Sequence, residues 1–193
     1  MKNKKLSISI QNLVKELIVS FGENLERDGL KDTPKRVSKM YEELLSGYSK
    51  DPKSIFTTFK SNGYKDLVTV TNILFHSLCE HHMIPFFGKI HIGYIPNGKI
   101  LGLSKFVRLT EIFTHRLQTQ EYLTNQIADS LETNLSPRGL IVSIEAEHLC
   151  MSMRGVKKND CITKTTTTRG VLKDNNNYVD QFYREINRHH PKI

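Results

Sequence analysis

The chain has 193 residues, 38% hydrophobic and 25% charged, with 28 Lys+Arg against 20 Asp+Glu for a formal net charge of +8. That length suits one domain with a sizeable core and a small appendage. No stretch approaches the roughly 20 apolar residues of a membrane span, and "MKNKKLSISIQNLVKEL" is too broken by Gln11, Asn12 and Lys15 to be a secretory leader. A cytoplasmic protein without membrane contact is expected. Cys79, Cys150 and Cys161 are too few and odd in number for a disulfide framework, so they read as reduced thiols. The basic excess either solubilises the surface or attracts an anionic partner.

The chain opens with a weakly periodic helix over about residues 8–20. After Asp32-Thr33, Pro34 suits a first helical turn, and Val37, Met40, Tyr41, Leu44 and Leu45 keep the spacing of one buried face, with Gly47 as the stop. "DLVTVTNILFHSLC" turns to β-branched and aromatic residues and reads as a strand. "KIHIGYIPNGKILGLS" reads as a hairpin about Asn97-Gly98. Helical pattern returns from Ser104 to about Leu117 and from Gln120 to Asn134. Pro137-Arg138-Gly139 turns into the strand "LIVSIEAEHLC", residues 163–168 suit another strand, and Val179, Phe182 and Ile186 mark a last helix. The order implies an α+β protein: a helical segment over residues 1–65, then a largely antiparallel sheet with helices over 66–193. Open sheet edges would need partner subunits.

"LCEHHM" supplies the chemistry. Cys79 and His82 have C-x-x-H spacing, which lets one turn offer both to one ion. His148 and Cys150 lie two apart, at the end of the apolar strand face carrying Val142, Ile144 and Ala146. Thiolate with imidazole favours zinc over magnesium or calcium. Five candidates compete for four positions, so some must do other work, and spacing does not choose between His81 and His82. A catalytic ion would keep one position for water while spare imidazoles moved protons. A purely structural zinc knuckle fits the same spacing. His76, His91 and His115 read as structural or solvent-facing, and Cys161 as a bystander.

An anion site is also legible. Ser104 suits an N-cap, with Lys105 and Arg108 on the following turn, and cations placed against the helix dipole make sense beside a bound anion. Arg36, Lys39 and Arg154 are further cations. No G-x-x-x-x-G-K-[ST] or G-x-G-x-x-G occurs, so dispersed cations, some from different subunits, would have to hold a phosphate chain. Gln120 and Glu121 follow Thr119 at a helix start. A carboxylate there either steadies the dipole or accepts the paired N–H groups of a guanine edge.

From "DTPKRVSKM" to "REINRHH" the chain resembles the zinc-dependent GTP cyclohydrolase I family, most specifically in "LCEHHMIPFFGKIHIGYIPNGKILGLSK", "QTQEYLTNQIADSL" and "EAEHLCMSMRG". The resemblance implies a T-fold, an antiparallel sheet backed by two antiparallel helices, in a homodecamer with active sites between subunits. It implies Zn2+ held by Cys79, His82 and Cys150, with His81 and His148 as acid/base residues beside the ligand His82. Ser104, Lys105, Arg108 and Arg154 match triphosphate contacts, Arg36 and Lys39 match more loosely from a neighbouring subunit, and Gln120 and Glu121 match ribose and guanine recognition. The implied reaction is zinc-hydroxide attack on C8 of GTP, loss of formate, ribose rearrangement and closure to 7,8-dihydroneopterin triphosphate. Cys161 stands where the family usually has serine and Leu172 where phenylalanine is common, while residues 1–23 match little.

Two other functions compete for the same residues. A zinc-stabilised nucleic-acid-binding module would use the charge, but acids alternate with the bases, Trp is absent and no aromatic–basic motif occurs. A hydrolase of another purine would conflict with Glu121, because a carboxylate suits guanine's paired donors and repels adenine's N1.

Overall fold

The computed structural model describes residues 2–188. His189 and His190, which close the stretch carrying the resemblance, lie outside the described residues. Two compact units follow one another along the chain, Met1–Ser46 and Gly47–Ile193.

The first unit holds α1 (Lys2–Ser20) and α2 (Thr33–Leu44). α1 starts before residue 8 because nothing between Lys2 and Ser20 breaks a helix. Pro34 sits in the first turn of α2, where a missing N–H costs no helical bond. Ser38 is buried, its hydroxyl 2.9 Å from that of Ser7 on α1.

The second unit begins with residues that the sequence groups with the helical segment, including β1 (Thr58–Lys60). Its sheet consists of β2 (Val68–Cys79), β3 (Pro85–Ile95), β5 (Leu117–Gln118), β6 (Gly139–His148) and β7 (Ile162–Gly170), in the order β5-β2-β3-β6-β7. All neighbours are antiparallel except β2 and β5. α3 (Leu103–Thr114) and α4 (Gln120–Leu135) pack on one face, so alternate residues such as Leu140, Val142, Ile144 and Ala146 join Phe106, Leu109, Leu123, Ile127 and Leu131 in one core. Each such large side chain stabilises by about 1.5–3 kcal/mol. On the opposite face, Ile141 lies under Phe182 of α6 (Asn176–Asn187), with Leu67, Ile95 and Leu172. Further along that face Leu74 stays 73% exposed. This is the α+β plan of sheet and two backing helices that the sequence implies.

Three local readings change. The residues after Asn97-Gly98 do turn, with Gly98 at φ 73, yet β4 (Lys99–Leu101) pairs with β1 and not with β3. Both edges of β3 are already taken by the longer β2 and β6. α3 is capped by Gly102 and not by Ser104. It also stops at Thr114, since Leu117 and Gln118 leave the helix to pair with Leu78 and Cys79 at the end of β2.

β2 carries a bulge. Val70 pairs with Ile92 and Ile73 with Ile90, so Thr71 and Asn72 together oppose His91. Asn72 takes φ 59 and donates its backbone N–H to His91 Nδ1 (3.3 Å).

Candidate metal centre and active site

Cys79 ends β2 and is buried. The chain then makes a tight turn back into β3: Met83 N–H donates to the Cys79 carbonyl (2.8 Å), Cys79 N–H donates to the Ile84 carbonyl (2.9 Å), and Met83 adopts φ 53. This turn swings both histidines toward the sulfur. His81 Nδ1 and His82 Nδ1 lie 3.8 and 3.9 Å from Cys79 Sγ.

The third donor comes from the far side of β3. β3 lies between β2 and β6, pairing Pro85 with Leu78 and Phe86 with His148. β6 ends at His148, and Cys150 sits in the single helical turn α5 (Leu149–Ser152), not on the strand face as the alternation predicts. The turn still delivers it: the ligand atoms of Cys79, His82 and Cys150 all lie within 4.8 Å of one another. Burial pushes the Cys150 thiol up, and the neighbouring Cys79 sulfur pushes it further. Two close thiols with an imidazole fit a soft divalent cation, whose charge would reverse both penalties.

His148 stands beside this triad. Its ring stacks on Phe86, centroids 4.7 Å apart and planes 5° from parallel. Its Nε2 is 2.8 Å from Oε1 of Gln120. Burial lowers its pKa, while the charge of Glu121 pulls the other way. His81 is largely exposed, its Nε2 4.0 Å from the Glu80 carboxylate.

Thr119 caps α4 by accepting from Tyr122 N–H (3.2 Å), which sets Gln120 and Glu121 on the first turn. Gln120 is buried, its amide nitrogen donating to the carbonyls of Ile144 and Thr163 (3.0 Å each) and facing Thr165 Oγ1 at 3.2 Å. Glu121 is exposed and lines a cleft of about 360 Å³ with Thr124, Asn125 and Thr165–Thr167. Arg154 Nη1 lies 2.8 Å from His82 Nε2. Ser104, Lys105 and Arg108 lie on the first two turns of α3, without a side-chain hydrogen bond or ion pair among the described residues. Arg36 and Lys39 are exposed on α2, Arg36 3.6 Å from Asp32.

Of the residues singled out by sequence, the structure gathers Cys79, His81, His82, His148, Cys150, Arg154, Gln120 and Glu121 around the ends of β2 and β6. It does not join Ser104, Lys105 or Arg108 to that cluster by any side-chain contact among the described residues. Sequence reasoning missed Phe86 and Thr165, which reach His148 and Gln120 only through strand register. His76 stacks on Phe87, His115 Nδ1 lies 2.8 Å from the Glu111 carbonyl, and Cys161 is an exposed free thiol.

Comparison with known proteins returns a consistent neighbourhood. The profile of the family GTP cyclohydrolase I matches residues 10–187. A protein named GTP cyclohydrolase 1 from Streptococcus gordonii is 51% identical over 167 residues, covering 86% of this chain and 89% of that protein. Its namesake from Bacillus pumilus is 48% identical over 171 residues, covering 88% and 89%. Among solved structures, the apo archaeosine synthase QueF-Like overlays with a TM-score of 0.44 at 15% identity, over 54% of this chain and 94% of that one.

Proposed function

Because the chain belongs to the GTP cyclohydrolase I family, we propose that it is itself a GTP cyclohydrolase with Zn2+ as its metal. It hydrolyses GTP at C8, releases that carbon as formate and recloses the remainder as 7,8-dihydroneopterin triphosphate, a step of pterin and folate biosynthesis. The observation that carries this reading is the convergence of Cys79, His82 and Cys150 beside a half-buried histidine, His148.

The triad would hold the ion, and zinc so held supplies Lewis acidity that makes water acidic near neutral pH. His148, kept neutral by burial, accepts a proton during ring opening, and the exposed His81 exchanges protons with solvent. Glu121 offers two oxygens to the N1–H and 2-amino group of guanine within the threonine-lined cleft. Arg154, which lies beside His82, binds the triphosphate together with Ser104, Lys105 and Arg108, and Arg36 and Lys39 contribute from a neighbouring subunit.

The sheet supports such an assembly. Among the described residues, β7 has a partner on one side only, and β5 covers β2 only at Leu78 and Cys79. Two long edges thus remain for copies to join around a ring, for which we propose a cytoplasmic homodecamer. The comparisons lend the nucleic-acid-binding alternative no support.

The test is GTP turnover by zinc-loaded protein, following formate and the fluorescent oxidised pterin, with a chelated sample alongside. Both products, lost on chelation, are expected. Formate without pterin would limit the activity to ring opening, and neither product from folded, zinc-loaded protein would overturn the assignment.

A further inference from the structure

We infer that Gln120 is a positioning residue for His148: its side-chain amide fixes which nitrogen of that imidazole carries the proton. The inference rests on the cyclohydrolase reading for its catalytic consequence but not for its geometry. The resemblance assigns Gln120 to substrate recognition, and the hydrogen bonds assign its side chain elsewhere.

The amide orientation follows from its surroundings. One end of the Gln120 amide faces the Ile144 carbonyl and the Thr163 carbonyl, each at 3.0 Å. An amide oxygen cannot sit against two carbonyl oxygens, so the NH2 group occupies that end, its two hydrogens shared among these carbonyls and the Thr165 hydroxyl. Thr165 Oγ1, at 3.2 Å from the same nitrogen, is itself 2.7 Å from Thr124 Oγ1, whose hydroxyl also lies 2.7 Å from the Gln120 carbonyl. The side chain is 1% exposed and tied to β6, β7 and its own helix.

Oε1 must therefore face His148 Nε2, at 2.8 Å. A carbonyl oxygen only accepts, so Nε2 carries a hydrogen. Neutral imidazole has one N–H, which leaves the lone pair on Nδ1. Phe86, parallel at 4.7 Å, removes the other freedom by preventing ring rotation. Together the amide and the phenyl ring present Nδ1 as the base and exclude the opposite tautomer. A hydrogen-bond partner that selects the tautomer of a working histidine without touching substrate leaves substrate affinity alone and acts on turnover.

The first test is solid-state 15N NMR on metal-loaded, full-length protein carrying 15N-histidine, with the His148 signal isolated by difference against His148→Gln. The Nε2–H tautomer is expected, and a predominant Nδ1–H tautomer would overturn the inference. The second is Gln120→Met, which keeps the length and removes every hydrogen bond. Turnover of GTP should fall by roughly 10- to 100-fold, with KM held within about threefold. A large rise in KM at unchanged kcat would instead make Gln120 a substrate contact. If that variant fails to fold, Thr165→Val, which loosens the amide while leaving its two carbonyl partners, should show a smaller loss of the same kind. Absence of turnover in the unaltered protein would defeat the cyclohydrolase reading alone, because the tautomer measurement needs no substrate.

Discussion

Cys150 is the proposed donor whose removal tests the metal site most directly. It lies in a turn beyond the strand, so serine there disturbs no ladder bond and removes one of three converging ligand atoms. Cys150→Ser is expected to bind far less than one zinc per chain, by elemental analysis, and to lose GTP turnover while keeping its circular dichroism spectrum. Glu121 tests the other half of the site. A hydrogen bond to a charged group is worth about 1.5–3 kcal/mol, so Glu121→Gln should lower kcat/KM for GTP by roughly 10- to 150-fold. Much of this site was legible residue by residue, because C-x-x-H spacing and the His148/Cys150 pair carry their own chemical signal. Phe86 and Thr165 were not, because nothing local marks a phenylalanine as the partner of a histidine 62 positions away; strand pairing alone puts it there.

Between elements, the close approach of β3 to β6 leaves no room at Gly88. A Cβ built there would lie 1.9 Å from the Glu145 carbonyl oxygen, with rigid backbone as the obstacle. Gly88→Ala should therefore cost at least about 1–3 kcal/mol, read as a fall in Tm. The bulge of β2 gives a second prediction. His91 is buried against it, with Glu145, Lys89 and Lys164 around it, and burial outweighs Glu145 to lower its pKa. Below about 6.5 an unfolded chain binds a proton that the folded chain refuses, so stability is lost as pH falls through that window. His148 adds to the same slope. The fall in Tm between pH 7.5 and pH 5 should shrink in His91→Gln without vanishing. Helices announced themselves by periodicity, and α2, α4 and α6 came out close to the residues it marks. β4 does not: its turn and alternation are legible in the sequence, but the choice of β1 as partner depends on which edges longer strands have already taken.

For the whole molecule, the proposed assembly makes one chain by itself an incomplete enzyme. Native mass measurement should find about ten copies of the 22.2 kDa chain, and a fully active monomer would refute shared sites. On the proposed reading Lys105, Arg108 and Arg154 would meet a triphosphate near solvent, so KM for GTP should rise with salt as screening shortens from about 10 Å at 0.1 M ionic strength to about 3 Å at 1 M. The bulge at Thr71–Asn72 also has a consequence for how this chain can vary. Val68 and Val70, at even positions, face the helices before it, whereas Ile73, Phe75 and Cys79, at odd positions, do so after it. The extra residue thus resets the phase of the strand, much as a single inserted base resets a reading frame. Deleting Asn72 would make the step from Val70 to Ile73 match that from Ile92 to Ile90, so that Val68, Val70, Ile73, Phe75 and Cys79 would still share one face in plain alternation, and only the bulge and its N–H contact to His91 would be lost. A deletion between Ile73 and Cys79, where every residue pairs one to one with β3, has no such slack and would turn the Cys79 sulfur to the opposite face.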